Sequence, residues 1–263
     1  MPGYHPKKRL GQNFLKSLEI IERIIQQLAP QEGDSIIEIG PGRGSLTLPL
    51  AMSGATVTAV EFDRDVIGYL KKLLRKYPKA QVLNQDFLSL NPRDVGVVPH
   101  KLIGNLPYNI TSPVLDWATT HRDTIKLAVF MVQKEVGLRV AASPGSKDWS
   151  PLSIFTQLAY RVRLCFDVPP KHFQPPPKVT SCVIELTPAP MLIIPHRKLF
   201  ESIVRLAFRQ RRKLLSNNLA PEIFPDTDTA RIVLKRAGLP ENCRAEQISI
   251  AGFLDLTEHI ATI

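Results

Sequence analysis

The stretch SIIEIGPGRGSLTLPLAMSG, residues 35–54, leaves few folds open to this chain. A short apolar run ends at Gly40, glycines alternate through Gly42 and Gly44, and apolar residues then recur at helical spacing as far as Gly54. That order reads as strand, glycine turn and helix. The alternation continues: TVTAVEFD is a second strand closing on acids, DVIGYLKKLLRKYP a helix, AQVLNQDF a third strand and KLIGNLPY a fourth. SPVLDWATTHR is helical, and LAVFMVQKEVGLRVAAS gives a fifth strand running into a helix. Strands alternating with helices predict an α/β domain built on a parallel sheet with helices on both faces. Upstream, LKSLEIIERIIQQLAP has helical spacing and stops at Pro30.

After about Ser150 the pattern changes. PLSIFTQLAYRVRLCFDVP reads as a helix then a strand, PPKHFQPPPK is a proline cluster, and VTSCVIEL is a further strand. P-A-P at 188–190 marks a boundary beyond which the chain reads as helices only. A length of 263 residues is long for one compact domain and short for two full ones. The expected division is residues 1–187 as the α/β domain and 188–263 as a small all-α domain.

Charge points to the partner. The net charge of +10 favours a polyanion, nucleic acid first. Residues 196–213 hold seven basic residues against one acid. Within RKLFESIVRLAFRQRRKLL, Arg205, Arg209 and Arg212 fall at i, i+4 and i+7, with Leu199, Ile203 and Leu206 on another face. This predicts an amphipathic helix with a basic stripe, since a merely solvated face usually mixes its signs. No apolar run approaches the roughly 18 residues of a membrane span, and the first residues, MPGYHPKKRLGQNF, have no hydrophobic signal region, so a cytoplasmic protein is expected. Cys165, Cys182 and Cys243 lie far apart without a CxxC, which excludes a disulfide framework and a cysteine-based zinc site; no metal is expected.

Glycines between a strand and a helix let backbone approach a ligand closely, and the helix start offers free N–H groups. Glu61, at the end of the second strand, can accept hydrogen bonds from both hydroxyls of a ribose. Asp86, at the end of the third, can accept one from an adenine amine, or else serve as a helix N-cap. Glycine, glutamate and aspartate at successive strand ends describe a nucleoside pocket. A dinucleotide is the rival ligand, but its fingerprint needs G-x-G-x-x-G and this turn is G-x-G-x-G.

GPGRG, the acid-ended second strand, D-F after the third and NLPY after the fourth together resemble the S-adenosylmethionine-dependent N-methyltransferases. KKRLGQNFL, NLPYNITSP, VQKEV followed by PGSKDW, FQPPPKVTS and FRQRRKLLSNNL narrow the resemblance to the rRNA adenine dimethyltransferases of the kasugamycin-sensitivity type. These blocks run in order from residue 7 to 219, most of the chain. The departures are Trp149, where a tyrosine is common, and Gly137-Leu138 in place of Ala-Glu.

The resemblance implies a Rossmann-like sheet, S-adenosyl-L-methionine as methyl donor, and N6,N6-dimethylation of two adjacent adenosines in a hairpin loop near the 3′ end of 16S rRNA. The partner would be the assembling small ribosomal subunit, met by a monomer. Asn13 and Leu15 of QNFL would close over the cofactor, Gly40 would lie against it, Glu61 would hold its ribose, Asp86 its adenine, and Asn105 would stand between cofactor and target base. The Asn105 side-chain oxygen and the Leu106 carbonyl, stiffened by Pro107, would accept the two hydrogens of the target amine, and Tyr108 would stack on the base. Arg205, Arg209, Arg211, Arg212 and Lys213, with KKR at 7–9 as a second anchor, would grip phosphates. The rivals beside this reading are an assembly factor whose catalysis is secondary, the macrolide-resistance methyltransferases of large-subunit rRNA with the mitochondrial transcription-factor relatives, and an NAD-dependent dehydrogenase, which leaves NLPY unexplained.

Overall fold

The computed structural model describes residues 13–262 and divides into two compact units. One takes the described residues up to Gly137 together with Ala159–Ala189; the other takes Leu138–Leu158 and the chain from Pro190 onward.

In the first unit the elements in chain order are β1 (Phe14–Leu15), α1 (Leu18–Leu28), β2 (Ser35–Ile39), α2 (Thr47–Met52), β3 (Thr56–Glu61), α3 (Arg64–Leu73), β4 (Ala80–Asn84), β5 (His100–Asn105), α4 (Thr111–Thr120), β6 (Ile125–Gln133) and the start of α5 (Lys134–Val140). α6 (Pro151–Ala159) leads back into it through β7 (Tyr160–Val168), β8 (Phe173–Gln174) and β9 (Ser181–Pro188). Seven strands form one sheet in the order β4-β3-β2-β5-β6-β9-β7. The first five run parallel, whereas β9 is antiparallel to both β6 and β7, so the sheet is mixed where a parallel one was expected. The cause is the connection: no helix crosses the sheet between β7 and β9, only the proline-rich segment, and such a return gives antiparallel neighbours. The chain moves from β2 outward to β4 and then crosses back to β5, which makes the gap between β2 and β5 the topological switch point. β2 is buried along its whole length, and Ile36, Val57, Ile103, Val129 and Val183 join the core under α1. β1 pairs antiparallel with β8, Phe14 opposite Gln174 and Leu15 opposite Phe173, so the proline cluster holds these two residues in place.

The second unit contains α7 (Arg197–Ala207), α8 (Leu215–Ile223), α9 (Thr227–Arg236) and α10 (Ile250–Ala261). Phe200, Ile203, Leu219, Leu234, Phe253 and Leu256 build its core, and Trp149 and Ile154 belong to the same cluster. The Trp149 indole N–H donates to the Ile248 carbonyl (2.9 Å), and Gly145 N–H to that of Glu246 (2.6 Å). The division expected at 187/188 therefore falls two residues before the observed crossing, and 138–158 goes with the helices because its large apolar side chains are buried there.

The basic stripe is not one helix. α7 ends at Ala207, and Arg209 to Lys213 lie in the turn before α8. Beyond Phe208 five successive polar residues offer nothing to bury, so the apolar half of the pattern stops while the basic half runs on. Asn218 closes the turn, its amide donating to the carbonyls of Ala207 (2.8 Å) and Gln210 (3.1 Å).

Gly137 explains one departure from the family pattern. A Cβ there would lie 2.2 Å from the Cys182 sulfur, with Ile184 at 3.3 Å and Leu164 at 3.4 Å. Gly137→Ala should therefore destabilise the protein by about 1–3 kcal/mol, although alanine is the better helix former. Adding Cys182→Ala, which removes only the sulfur, should recover part of the loss in urea unfolding; strict additivity of the two changes would show that the sulfur is not the obstacle.

Candidate active site

A cavity of about 310 Å³ opens at the carboxyl ends of β2 and β5, where open α/β sheets bind ligands. Asn13, Leu15, Gly40, Glu61, Asp86, Asn105, Leu106, Pro107 and Tyr108 all line it. Residues from five separate segments thus converge on one space. The arginines at 205, 209, 211 and 212 and Lys213 lie in the other unit, and KKR at 7–9 lies outside the described residues.

The glycine turn forms the floor. Gly40 has φ +62°, a left-handed conformation that suits glycine, and a Cβ built on it would meet no atom within 4 Å. The side chain that is missing there would stand in the cavity. Glu61 is buried, and each of its oxygens accepts one backbone N–H: Oε1 from Asp63 (2.8 Å) and Oε2 from Gly42 (3.1 Å). Burial pushes its carboxyl above the ordinary range while these two bonds oppose the rise. The second lone pair on each oxygen remains for a diol. Asp86 takes the capping role and also lines the cavity. Its Oδ1 caps the short 3₁₀ turn at 87–89 by accepting from Leu88 N–H (3.0 Å), while Oδ2 takes no bond from a described residue and the residue lines the cavity. Phe87 behind it is fixed against Trp117, with ring centroids 4.3 Å apart.

On the opposite wall, the Asn105 amide nitrogen donates to the Asn13 carbonyl (2.9 Å). A carbonyl can only accept, so the nitrogen must face Asn13 and Oδ1 is left as the free end. Leu106 N–H is spent on the Met131 carbonyl (3.0 Å). Neither Asn105 Oδ1 nor the Leu106 carbonyl takes a hydrogen bond from a described residue. Pro107 follows, and its carbonyl accepts from Ile110 N–H (3.1 Å), which holds the turn into α4. The Tyr108 hydroxyl bonds to that of buried Ser181 (3.0 Å), so the ring is fixed from its far end; burial raises the phenol and keeps it neutral.

Sequence reasoning missed Glu38. It lines the cavity from β2 with 2% of its surface exposed, and its Oε2 has no hydrogen-bond partner among the described residues. Burial, helped by the charge of Glu61, pushes its carboxyl up to about 8. The signal was present in SIIEI, where an acid interrupts an apolar strand. A folded-state value above the unfolded one means stability is lost as pH rises between the two. Glu38→Gln should thus melt higher than the parent from about pH 5 upward, the gap widening by at most about 1.4 kcal/mol per unit and levelling near pH 8. Melting curves across pH 5–9 decide it: a gap that does not change with pH would mean the carboxyl is not the cause.

The room over Gly40, the spare lone pairs of Glu61 and Asp86 and the orphaned oxygen of Glu38 fit a nucleoside that carries hydroxyls and an amine. A mixed seven-stranded sheet with its cavity at this switch point defines the Rossmann-like fold of S-adenosylmethionine-dependent methyltransferases. Within that class, residues 4–262 match the family model for ribosomal RNA adenine dimethylase, and the chain belongs to that family. It is 42% identical over 253 residues to "Ribosomal RNA small subunit methyltransferase A" of Xanthomonas campestris, covering 95% of this chain and 94% of that one. The protein of the same description from Pseudomonas putida is 39% identical over 262 residues, covering 98% and 96%. Among solved structures, a dimethyladenosine transferase from Plasmodium falciparum superposes with TM-score 0.78 at 27% identity, covering 92% of this chain and 95% of that one. The 23S rRNA methyltransferase ErmE superposes with TM-score 0.73, also at 27% identity, covering 95% and 100%. Among the described residues no helix is long and apolar enough to cross a membrane.

Proposed function

We propose that this chain transfers methyl groups from S-adenosylmethionine to N6 of adenosine in small-subunit rRNA, two on each of two adjacent adenosines in a hairpin loop near the 3′ end. It acts as a cytoplasmic monomer on the assembling subunit. The observation that carries the reading is the convergence, in one cavity, of a nucleoside-binding wall (Gly40, Glu61, Asp86) with two unspent acceptors (Asn105 Oδ1 and the Leu106 carbonyl).

Bound S-adenosylmethionine supplies an electrophilic methyl group on a sulfonium. Asn13 and Leu15 cover the cofactor, Gly40 gives it room, Glu61 takes the ribose hydroxyls and Asp86 the adenine amine. The exocyclic amine of the target adenine is a poor nucleophile because its lone pair is delocalised into the ring. Asn105 and Leu106 each accept one of its hydrogens, which favours a pyramidal nitrogen and turns the lone pair away from both acceptors. Tyr108 stacks on the extruded base, a contact of about 1–3 kcal/mol, against an unstacking cost of a few kcal/mol that is smaller in a loop. The alkylated nitrogen sheds its proton readily, so positioning does most of the work. Arg205, Arg209, Arg211, Arg212 and Lys213 meet phosphates from the helical unit. Part of that set also has protein partners: Arg209 pairs with Glu222 (2.9 Å), Arg211 donates to the Lys147 carbonyl, and Arg205 lies over the Phe155 ring.

The test uses small subunits from a strain lacking the modification, labelled S-adenosylmethionine and the purified protein. Two methyl groups on each of two neighbouring adenosines are expected. Label in large-subunit RNA instead would move the chain to the resistance branch, and tight subunit binding without any incorporation would leave an assembly factor.

A further inference from the structure

The eleven basic and eight acidic residues of 187–263 account for only three of the ten net positive charges. The rest lie earlier, and one block is concentrated at the end of α3. Lys71 and Lys72 close the helix, and Arg75, Lys76 and Lys79 follow in the turn beyond it. All five are exposed, and no acid occurs anywhere between residues 66 and 85. Lys79 pairs with Glu32 (2.9 Å); the other four make no ion pair with a described residue.

The cluster is set on one side of the segment by burial of the other. Leu70 and Leu74 bury the inner side of the segment, which forces the cations onto the outer side together. Four like charges without an intervening acid thus stand together on one exposed surface. The dipole at a helix C-terminus accounts for one or two cations in the last turn and no more. Tyr69 and Tyr77, both partly exposed, flank the block in sequence.

We infer that this end of α3 is a further phosphate-binding surface, where Lys71, Lys72, Arg75 and Lys76 hold the sugar–phosphate backbone of the same RNA whose adenosines enter the cavity. The inference rests on the proposed function. α3 starts beside the cavity, capped by Asp63 two residues after Glu61, and ends at the amino edge of the sheet where β4 begins. Ten residues of helix at 1.5 Å each separate the two by about 15 Å, further than the one nucleotide in the cavity spans. The surface therefore engages RNA flanking the target loop and fixes how the loop is presented.

The experiment replaces Lys71, Lys72, Arg75 and Lys76 together by glutamine in the full-length protein. Affinity for unmodified small subunits and for naked 16S rRNA is then measured at several salt concentrations. The expected result is weaker binding to both, by roughly 10- to 100-fold at moderate salt, with the slope of log affinity on log salt reduced by about 3. S-adenosylmethionine affinity and the melting temperature should stay at parental values, since these side chains are exposed and remote from the cavity. A parental salt slope on naked RNA would overturn the inference, and so would weakening confined to whole subunits, which would assign the block to an acidic protein surface. If the parent itself neither bound nor methylated small-subunit RNA, the failure would belong to the proposed function instead.

Discussion

Asn105→Ala should lower the single-turnover rate of methyl transfer by about 10²–10³-fold, the size seen when one preorganised polar group is removed from a reacting centre. Two separate bonds are lost, and they predict different effects. Loss of Oδ1 leaves the target amine with one acceptor, the Leu106 carbonyl, so its lone pair is no longer turned out of the ring. Loss of the amide nitrogen removes the 2.9 Å bond to the Asn13 carbonyl. That bond helps hold the segment over the cavity, and a net hydrogen bond of about 1 kcal/mol corresponds to roughly fivefold weaker cofactor binding. Asn105→Asp separates the two. It keeps an acceptor oxygen toward the cavity but sets a second against the Asn13 carbonyl, so its defect should fall more on KM for the cofactor than on kcat. Titration with labelled S-adenosylmethionine and RNA filter binding would accompany the rates, and RNA affinity should stay near that of the parent. An alanine variant within tenfold of the parental rate would remove Asn105 from the chemistry.

The alternation of strands and helices was readable because hydrophobic period and turn residues act locally. The pocket wall was readable for a related reason: a switch-point site draws on strand ends, and strand ends are marked in sequence by the residue that breaks the apolar run, here Gly40, Glu61, Asp86 and Asn105. Features set by long-range pairing were not readable. That β9 inserts between β6 and β7, or that Phe14 pairs with Gln174 at a separation of some 160 residues, has no local signature. The placement of 138–158 with the helices depends on where Trp149 finds a buried partner for its indole N–H, and the sequence does not show Ile248 as that partner. The basic stripe misled for a physical reason. Charge periodicity costs nothing to continue beyond a helix, whereas apolar periodicity ends where burial ends, and only the second marks the terminus.

At the opposite edge of the sheet from the cavity, Asp34→Asn should cost about 3–5 kcal/mol, because it leaves a largely buried ammonium without its carboxylate. Asp34 precedes β2 with 8% of its surface exposed. It takes Lys101 of β5 at 2.7 Å and Lys126 of β6 at 2.6 Å, and its own Oδ2 also accepts Gln31 N–H (2.9 Å). Lys101 in turn donates to the Ala29 carbonyl (2.7 Å), so one carboxylate ties the end of α1 to three strands. Burial alone would raise the carboxyl, and it is the largest single influence. The bonds from Lys101, Lys126 and Gln31 together outweigh it and bring the carboxyl down to about 2. A folded value below the unfolded one means the stabilisation is complete above about pH 4 and is lost as pH falls toward 2. The shift corresponds to about 2 kcal/mol, less than the full cost of the substitution, because asparagine also leaves two lysines facing each other. Lys126, with 40% of its side chain exposed, can turn toward water, whereas Lys101, at 13%, cannot. The measurement is urea unfolding of parent and variant from pH 7 down to the acid limit of folding, read as a difference. Buried His100 nearby also titrates below neutrality, but it is common to both proteins and cancels. The difference should be constant between pH 7 and 5 and shrink below 4. If it shrank instead between pH 7 and 5, the carboxyl would not be held below its unfolded value and this account of Asp34 would fail.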